Sequence, residues 1–153
     1  MRVAVGADHA GFNLRETVIS TIKSAGHEVI DLGAHSYDAE DDYPDRAAPV
    51  AEAVMKGDSD RGIIVCGSGI GAAVTANKFR GVRASICHDT YSAAQGVVHD
   101  DMNVLCIGGR VVGDAIATEL VRAFLSATMG DEVRFQRRLD KLNAIEQSNF
   151  APE

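Results

Sequence analysis

Five short apolar runs punctuate the chain, at Arg2–Gly6, Glu28–Leu32, Gly62–Cys66, Arg83–Cys87 and Asn103–Gly108. In the third and fifth, Ile63-Ile64-Val65-Cys66 and Val104-Leu105-Cys106-Ile107, both alternating faces are apolar. A strand reads that way when helices cover both sides of its sheet, as in parallel α/β architectures. Between the runs the apolar positions shift to a helical period. Phe12, Val18, Ile19 and Ile22 share one face of a first helix, and Val50, Ala51 and Val54 one face of a second. Further helices are predicted at Ile70–Phe79, Thr90–Val98 and Gly113–Ser126. Strand and helix alternate five times with short connections. That order predicts a three-layer α/β/α sandwich around a five-stranded, parallel, Rossmann-like sheet. No repeat, low-complexity tract or linker divides residues 1–153, so one domain is expected.

Two segments stand outside the alternation. His35–Asp45 is polar, with Asp38, Glu40, Asp41, Asp42 and Asp45, and it ends in Tyr43-Pro44. It reads as a solvated surface loop whose proline starts the next helix, with a substrate lid as the alternative. A metal site there lacks convincing ligand spacing. Met129–Glu153 continues past the fifth unit as a helical tail that carries an arginine cluster.

Composition narrows the functional classes. Of 153 residues, 46% are hydrophobic and 24% charged, ordinary proportions for a globular chain. Nothing approaches the run of 18 or more apolar residues a membrane span needs. Fifteen basic against 22 acidic side chains leave a net charge of −7, a poor basis for binding polynucleotides. Asp8 and His9 come too early for a secretory signal, and three cysteines without paired spacing point to a reducing cytoplasm.

In open parallel sheets ligands bind beyond the carboxyl ends of the strands, where strand order reverses. The residues there are Asp8-His9-Ala10-Gly11, Cys66-Gly67-Ser68-Gly69-Ile70-Gly71, His88-Asp89 and Gly109-Arg110. The glycine loop after the third strand suits a phosphate or a developing oxyanion, because backbone N–H groups and a helix N-terminus converge on it. With Ala72 it also fits the dinucleotide pattern G-x-G-x-x-A, and Asp89 follows at a suitable interval. The pattern belongs after the first strand, however, and no Lys-Ser/Thr follows to make a nucleotide loop. Cys66 stands where a helix N-terminus would stabilise a thiolate, able to serve as nucleophile or base. Cys106 and Cys87 read instead as small core hydrophobes. Ser68 lacks a G-x-S-x-G setting. His99, taken alone, reads as structural or exposed, whereas His9 beside Asp8 is well placed for proton transfer.

In the tail, Arg134 and Arg138 fall on one helix face, overlapped by an apolar arc of Phe135, Leu139, Leu142 and Ile145. Whatever covers that arc should meet Arg138, which asks for an anion: an acidic side chain of another subunit, or a phosphate. The Arg134–Arg138 cluster thus concentrates positive charge on an otherwise acidic chain.

Taken in order, Asp8–Gly11, Asp42-Tyr43-Pro44-Asp45, Cys66–Gly71 with Ala76-Asn77-Lys78, His99–Asn103, Gly109-Arg110-Val111-Val112-Gly113 and the Arg134–Arg138 cluster resemble the RpiB/LacAB family of sugar-phosphate isomerases, in particular its type B ribose-5-phosphate isomerases. The resemblance spans essentially the whole chain. It implies a metal-free and cofactor-free aldose–ketose isomerisation of ribose 5-phosphate through an enediol(ate), with other sugar phosphates, such as allose 6-phosphate or galactose 6-phosphate, as alternatives. It implies Cys66 as the base, His99 as the ring-opening acid with Asp8 nearby, and Gly67, Ser68, Gly69, Ile70 and Gly71 as the loop around the sugar oxygens. Tyr43 and Asp100 join the substrate contacts, and His9, Arg110, Arg134 and Arg138 match the phosphate side. It further implies a homodimer or homotetramer whose sites combine two subunits. Ser68 stands where many members have Thr, and Phe135 where a histidine often follows the first tail arginine. Asp100 replaces a commoner Asn, placing a carboxylate beside His99. Ala72 stands where one branch carries a glutamate base, leaving Cys66 as the candidate base of this motif. A non-catalytic sugar-phosphate or nucleotide-binding module is the alternative from another class.

Overall fold

The computed structural model describes residues 1–150. Five strands, β1 (Arg2–Ala7), β2 (Glu28–Asp31), β3 (Arg61–Cys66), β4 (Ala84–Ile86) and β5 (Val104–Gly108), form one parallel sheet in the order β2-β1-β3-β5-β4. Six helices accompany them: α1 (Phe12–Ser24), α2 (Tyr43–Lys56), α3 (Ile70–Ala76), α4 (Thr90–Asp100), α5 (Asp114–Ser126) and α6 (Val133–Asn149).

The two apolar faces of the central strands separate as the pattern requires. Val3, Val5, Ile63, Val65, Leu105 and Ile107 turn to one side and meet α1, α4 and α5, whose Val18, Ile22, Val97, Leu120 and Phe124 are buried there. Ala4, Ile64, Cys66, Val104 and Cys106 turn to the other and meet Val50, Ala51, Ala72 and Ala76 of α2 and α3. The period-two alternation of the strands thus becomes two hydrophobic layers, and the expected α/β/α sandwich results.

Small departures from the predicted elements have local causes. The helix expected to reach Phe79 ends at Ala76, because the Asn77 side chain turns to the next strand. Its amide donates to the carbonyls of Ala73 and Ala84 at 3.0 and 2.8 Å and accepts the Ala84 N–H at 2.9 Å. Strand β4 is one residue shorter at each end than its apolar run. In the tail, helix begins only at Val133, and the last three residues of the expected segment lie outside the described ones. Of the arc on α6, Phe135 is buried, Leu139 partly so, and Leu142 and Ile145 are 43% and 60% exposed. Arg138 is correspondingly exposed, rather than buried among them. Among the described residues no helix is long and apolar enough to cross a membrane.

The chain reverses direction across the sheet between β1 and β3. That is the topological switch point, where the carboxyl ends of neighbouring strands leave a crevice. Asp8 follows one of those ends and Cys66 closes the other.

Candidate active site

A cavity of about 420 Å³ opens at this switch point. Its walls are Asp8 and Ala10 after β1, Tyr43 at the start of α2, Cys66, Gly67, Ser68 and Gly71 after β3, and Arg110 and Val111 after β5. Four strand-to-helix connections distant in sequence therefore meet at one place.

Local backbone chemistry shapes it. Gly69 adopts φ +85°, a left-handed turn that lets the chain leave β3 and enter α3 within three residues. That turn brings the Gly69 N–H onto Cys66 Sγ at 3.1 Å, so a backbone donor already faces the sulfur. The first-turn N–H groups of α3 follow at the same strand end and have no intrahelical partner. Ser68 Oγ accepts the Ile70 N–H at 3.3 Å. At Gly71 a Cβ would stand 2.6 Å from the Tyr43 ring, so the missing side chain is what lets the tyrosine wall the cavity. Asp8 is 5% exposed, and its Oδ1 accepts the Gly11 N–H at 2.9 Å, bracing the turn after β1. The Gly109 and Arg110 N–H groups donate to the carbonyls of Cys66 and Gly67 at 2.7 and 3.1 Å, which ties the Arg110 turn directly to the thiol's strand end.

The three cysteines are free and buried, and their settings differ. Burial pushes the Cys87 thiol up to about 11 and raises Cys106 as well. Both are core thiols, as expected from sequence. Only Cys66 lines the cavity.

His9 lies beside the cavity, with its ring turned to Asp41. Asp41 Oδ1 accepts the His9 backbone N–H at 2.9 Å and lies 2.8 Å from Nδ1, while Oδ2 accepts Arg46 Nε–H at 3.1 Å. The hydrogen bond to Asp41 raises the His9 imidazole above its ordinary value, against an opposing effect of desolvation, and the nearby Asp8 carboxylate adds to the rise. Burial works to raise Asp41, but the bonds from His9 and Arg46 outweigh it and hold the carboxyl below the usual range. The acidic segment is therefore not uniformly solvated: the Asp41 side chain is 4% exposed. No short-range pattern marks this residue in the sequence, because its partner lies 32 positions away.

The remaining expected site residues do not join the cavity within one chain. His99 lies in the last turn of α4, which returns to the amino end of the sheet, where Asp101 and Asn103 bond Arg83 just before β4. Strand β5 alone separates that end from the cavity by roughly 15 Å. His99 Nδ1 is 2.7 Å from Gln95 Nε2, and its ring stacks on Phe135 with centroids 4.1 Å apart. The expected proximity of His99 to Asp8 is thus absent within a single chain. The Arg134 guanidinium lies over the Phe135 ring, 4.9 Å from its centroid, and its Nε pairs with Glu132 at 2.7 Å. Arg138 has no ion pair among the described residues. Arg110 stands with Cys66, apart from the tail arginines. Ile70 points outward at 59% exposure, and Gly69 is buried behind the loop. Asp100 borders a larger cavity of about 590 Å³, walled by β4, α4 and the Leu142–Phe150 end of α6. That space is larger but is bounded by an open sheet edge and an apolar helix face, the character of a packing surface.

A parallel sheet with a thiol, a glycine loop and an arginine converging on its switch point defines an α/β enzyme for a small anionic substrate. The family model described as Ribose/Galactose Isomerase matches residues 3–142, and the chain belongs to that family. Ribose-5-phosphate isomerase B of Escherichia coli (strain K12) is 43% identical over 146 residues, covering 95% of this chain and 97% of that protein. The structure of type B ribose 5-phosphate isomerase from Trypanosoma cruzi is 41% identical with a TM-score of 0.93, covering 97% of this chain and 99% of that one. A structure of ribose-5-phosphate isomerase B from Mycoplasma genitalium with bound ribulose-5-phosphate is 39% identical with a TM-score of 0.90, over 95% of this chain and 96% of that one.

Proposed function

We propose that this chain interconverts D-ribose 5-phosphate and D-ribulose 5-phosphate, as a cytoplasmic aldose–ketose isomerase. The observation that carries the reading is Cys66: a thiol at the carboxyl end of β3, under a glycine loop, in a cavity that Arg110 also lines. The relatives named above support the same reaction.

Isomerisation moves one proton from C2 to C1 and another from O2 to O1. In the open-chain aldose, the Cys66 thiolate takes the C2 proton, and the C2–H electrons form the C1=C2 bond of an enediolate. Charge then develops on the former carbonyl oxygen, where the N–H groups of the Gly67–Gly71 loop and the Ser68 hydroxyl offer donors. Protonation of O1 and return of the thiol proton to C1, with loss of the O2 proton, complete the ketose. Asp8 and Tyr43 line the same cavity and contact sugar hydroxyls. Arg110 and His9 hold the phosphate end, which is remote from the reacting carbons and spends its binding energy on orienting them.

His99, Arg134 and Arg138 reach a Cys66 cavity only from a second copy, so the working form is a homodimer, or a homotetramer built from it. Support comes from the exposed apolar side chains around the cavity's rim, Ile70, Val74 and Val111, each more than half exposed, and from the uncovered Leu142 and Ile145 on α6. In that arrangement His99 supplies the acid that opens the furanose ring. Gln95 engages Nδ1, which leaves Nε2 for the sugar.

The test is a coupled assay of the purified chain with ribose 5-phosphate, run beside allose 6-phosphate and galactose 6-phosphate. Turnover of the pentose phosphate in preference to both hexose phosphates is expected. Preference for a hexose phosphate would replace the substrate, and binding without turnover of any of the three would overturn the reaction.

A further inference from the structure

We infer that His88 is a positioning residue for the substrate cavity: as a neutral imidazole it holds the peptide from which the Arg110 turn departs. Alternate peptide groups of β5 face β4, as the Cys87 N–H to Cys106 carbonyl bond shows. Gly108, two residues on, faces the same way, but β4 has ended at Ile86. The His88 ring takes the place of the missing ladder partner, and its Nε2 accepts the Gly108 N–H at 2.9 Å. A backbone N–H can only donate, so Nε2 must carry a lone pair and the ring proton must sit on Nδ1.

Gly108 is the joint on which this end of the site is built. Its carbonyl accepts the N–H groups of Val111 and Val112 at 2.9 and 3.1 Å, closing the turn that presents Arg110. Space around it is tight: a Cβ there would stand 2.7 Å from Val111 and 2.9 Å from the Ser68 carbonyl. Gly69, whose N–H faces the Cys66 sulfur, packs against the same peptide, since a Cβ on Gly69 would lie 3.5 Å from Gly108 N. One imidazole nitrogen therefore fixes a peptide shared by the phosphate-side turn and the thiol loop.

Protonating Nε2 turns the acceptor into a donor and sets two N–H groups against each other. The Arg110 turn must then move, or the ring must leave. The ionisable groups on the segments around His88 are Cys87 and Asp89 on either side of it, Tyr91 in the first turn of α4, Arg110 on the turn it supports and Cys66 at the adjacent end of β3. Asp89 is itself engaged, accepting the Ser92 N–H at 2.7 Å as the N-cap of α4.

This inference rests on the reading of Arg110 as a phosphate contact, and its test separates the two. His88→Gln keeps an acceptor at a similar reach; His88→Leu removes the acceptor. Near pH 8, His88→Leu should raise KM for ribose 5-phosphate about fivefold, with a smaller change in kcat, and His88→Gln should restore KM to within about twofold. The Gly108 amide resonance should shift in His88→Leu and return close to its wild-type position in His88→Gln. A Gly108 resonance that stays in place in His88→Leu, or a folded His88→Leu protein with wild-type KM, would overturn the role. If the wild type turns over no sugar phosphate, the reaction assignment fails instead. The dissociation constant for inorganic phosphate and the Gly108 resonance then read the role of His88 without turnover.

Discussion

The two ends of the sheet are built for different tasks. At the carboxyl end, four connections converge on a closed network: Gly69 on Cys66, Gly11 on Asp8, Gly109 on Cys66, Gly108 on His88. At the amino end, among the described residues, His99 is held by Gln95 and Phe135 alone and Arg138 extends from α6 without an ion-pair partner. One end is organised by its own chain. On the proposed reading, His99 and Arg138 at the other have their task against a second copy. Reactive chemistry needs positions fixed within fractions of an ångström, whereas capture of a charged group tolerates a long flexible cation, so the division follows what each task requires.

Removing the thiol is the severest test of that contrast. Cys66→Ala should lower kcat by about a thousandfold or more while leaving the affinity for inorganic phosphate within a few-fold, because the thiolate acts on the transition state. Near-normal turnover would end the assignment of Cys66 as base. A smaller but complementary loss is expected at the other end. Arg138→Ala should raise KM for ribose 5-phosphate about tenfold with little change in kcat, and the penalty should shrink as salt is added. An equal effect on unphosphorylated ribose would remove the arginine from the phosphate.

The smallest effect is expected back at the carboxyl end, at His9. Its imidazole is raised by Asp41, so its positive charge is complete below the ordinary histidine value and is lost as pH climbs through the raised one. Asp41 is lowered, so its own charge is lost only as pH falls through that lowered value. The ion pair is whole between these limits. Asp41→Asn should bring the alkaline rise in KM to lower pH, with a few-fold change near pH 7.5 and none near pH 5.5. A KM profile with an unmoved alkaline limb would detach His9 from the phosphate.

Most of the architecture could be read from the chain because burial on both faces of a parallel strand leaves a local trace. Ile63-Ile64-Val65-Cys66 and Val104-Leu105-Cys106-Ile107 each announce two layers of helix, and the glycines after Cys66 announce a tight turn at a strand end. The lengths of α3 and β4 were less legible, since Asn77 and Asn103 end them through bonds to segments 7 and 20 residues away. At the site, Cys66, Ser68, Asp8 and Arg110 were legible because they follow strands directly. Asp41 and His88 were not. Asp41 matters only because its loop folds back onto β1, and His88 only because β4 stops short of its neighbour. The position of His99 follows from a rule the motif does not display: a crossover helix must return to the end of the sheet where the next strand begins.

That return of α4 has a genetic consequence on the proposed dimer. Cys66 and His99 of one chain then serve different sites. A chain lacking the first and a chain lacking the second are each inactive alone, yet a mixed pair holds one site with both groups intact and one with neither. Equal amounts of the two, unfolded and reassociated at random, should recover about a quarter of the normal number of sites. The lesions would complement across subunits, and a defective copy expressed beside a sound one would spoil half of every dimer it enters.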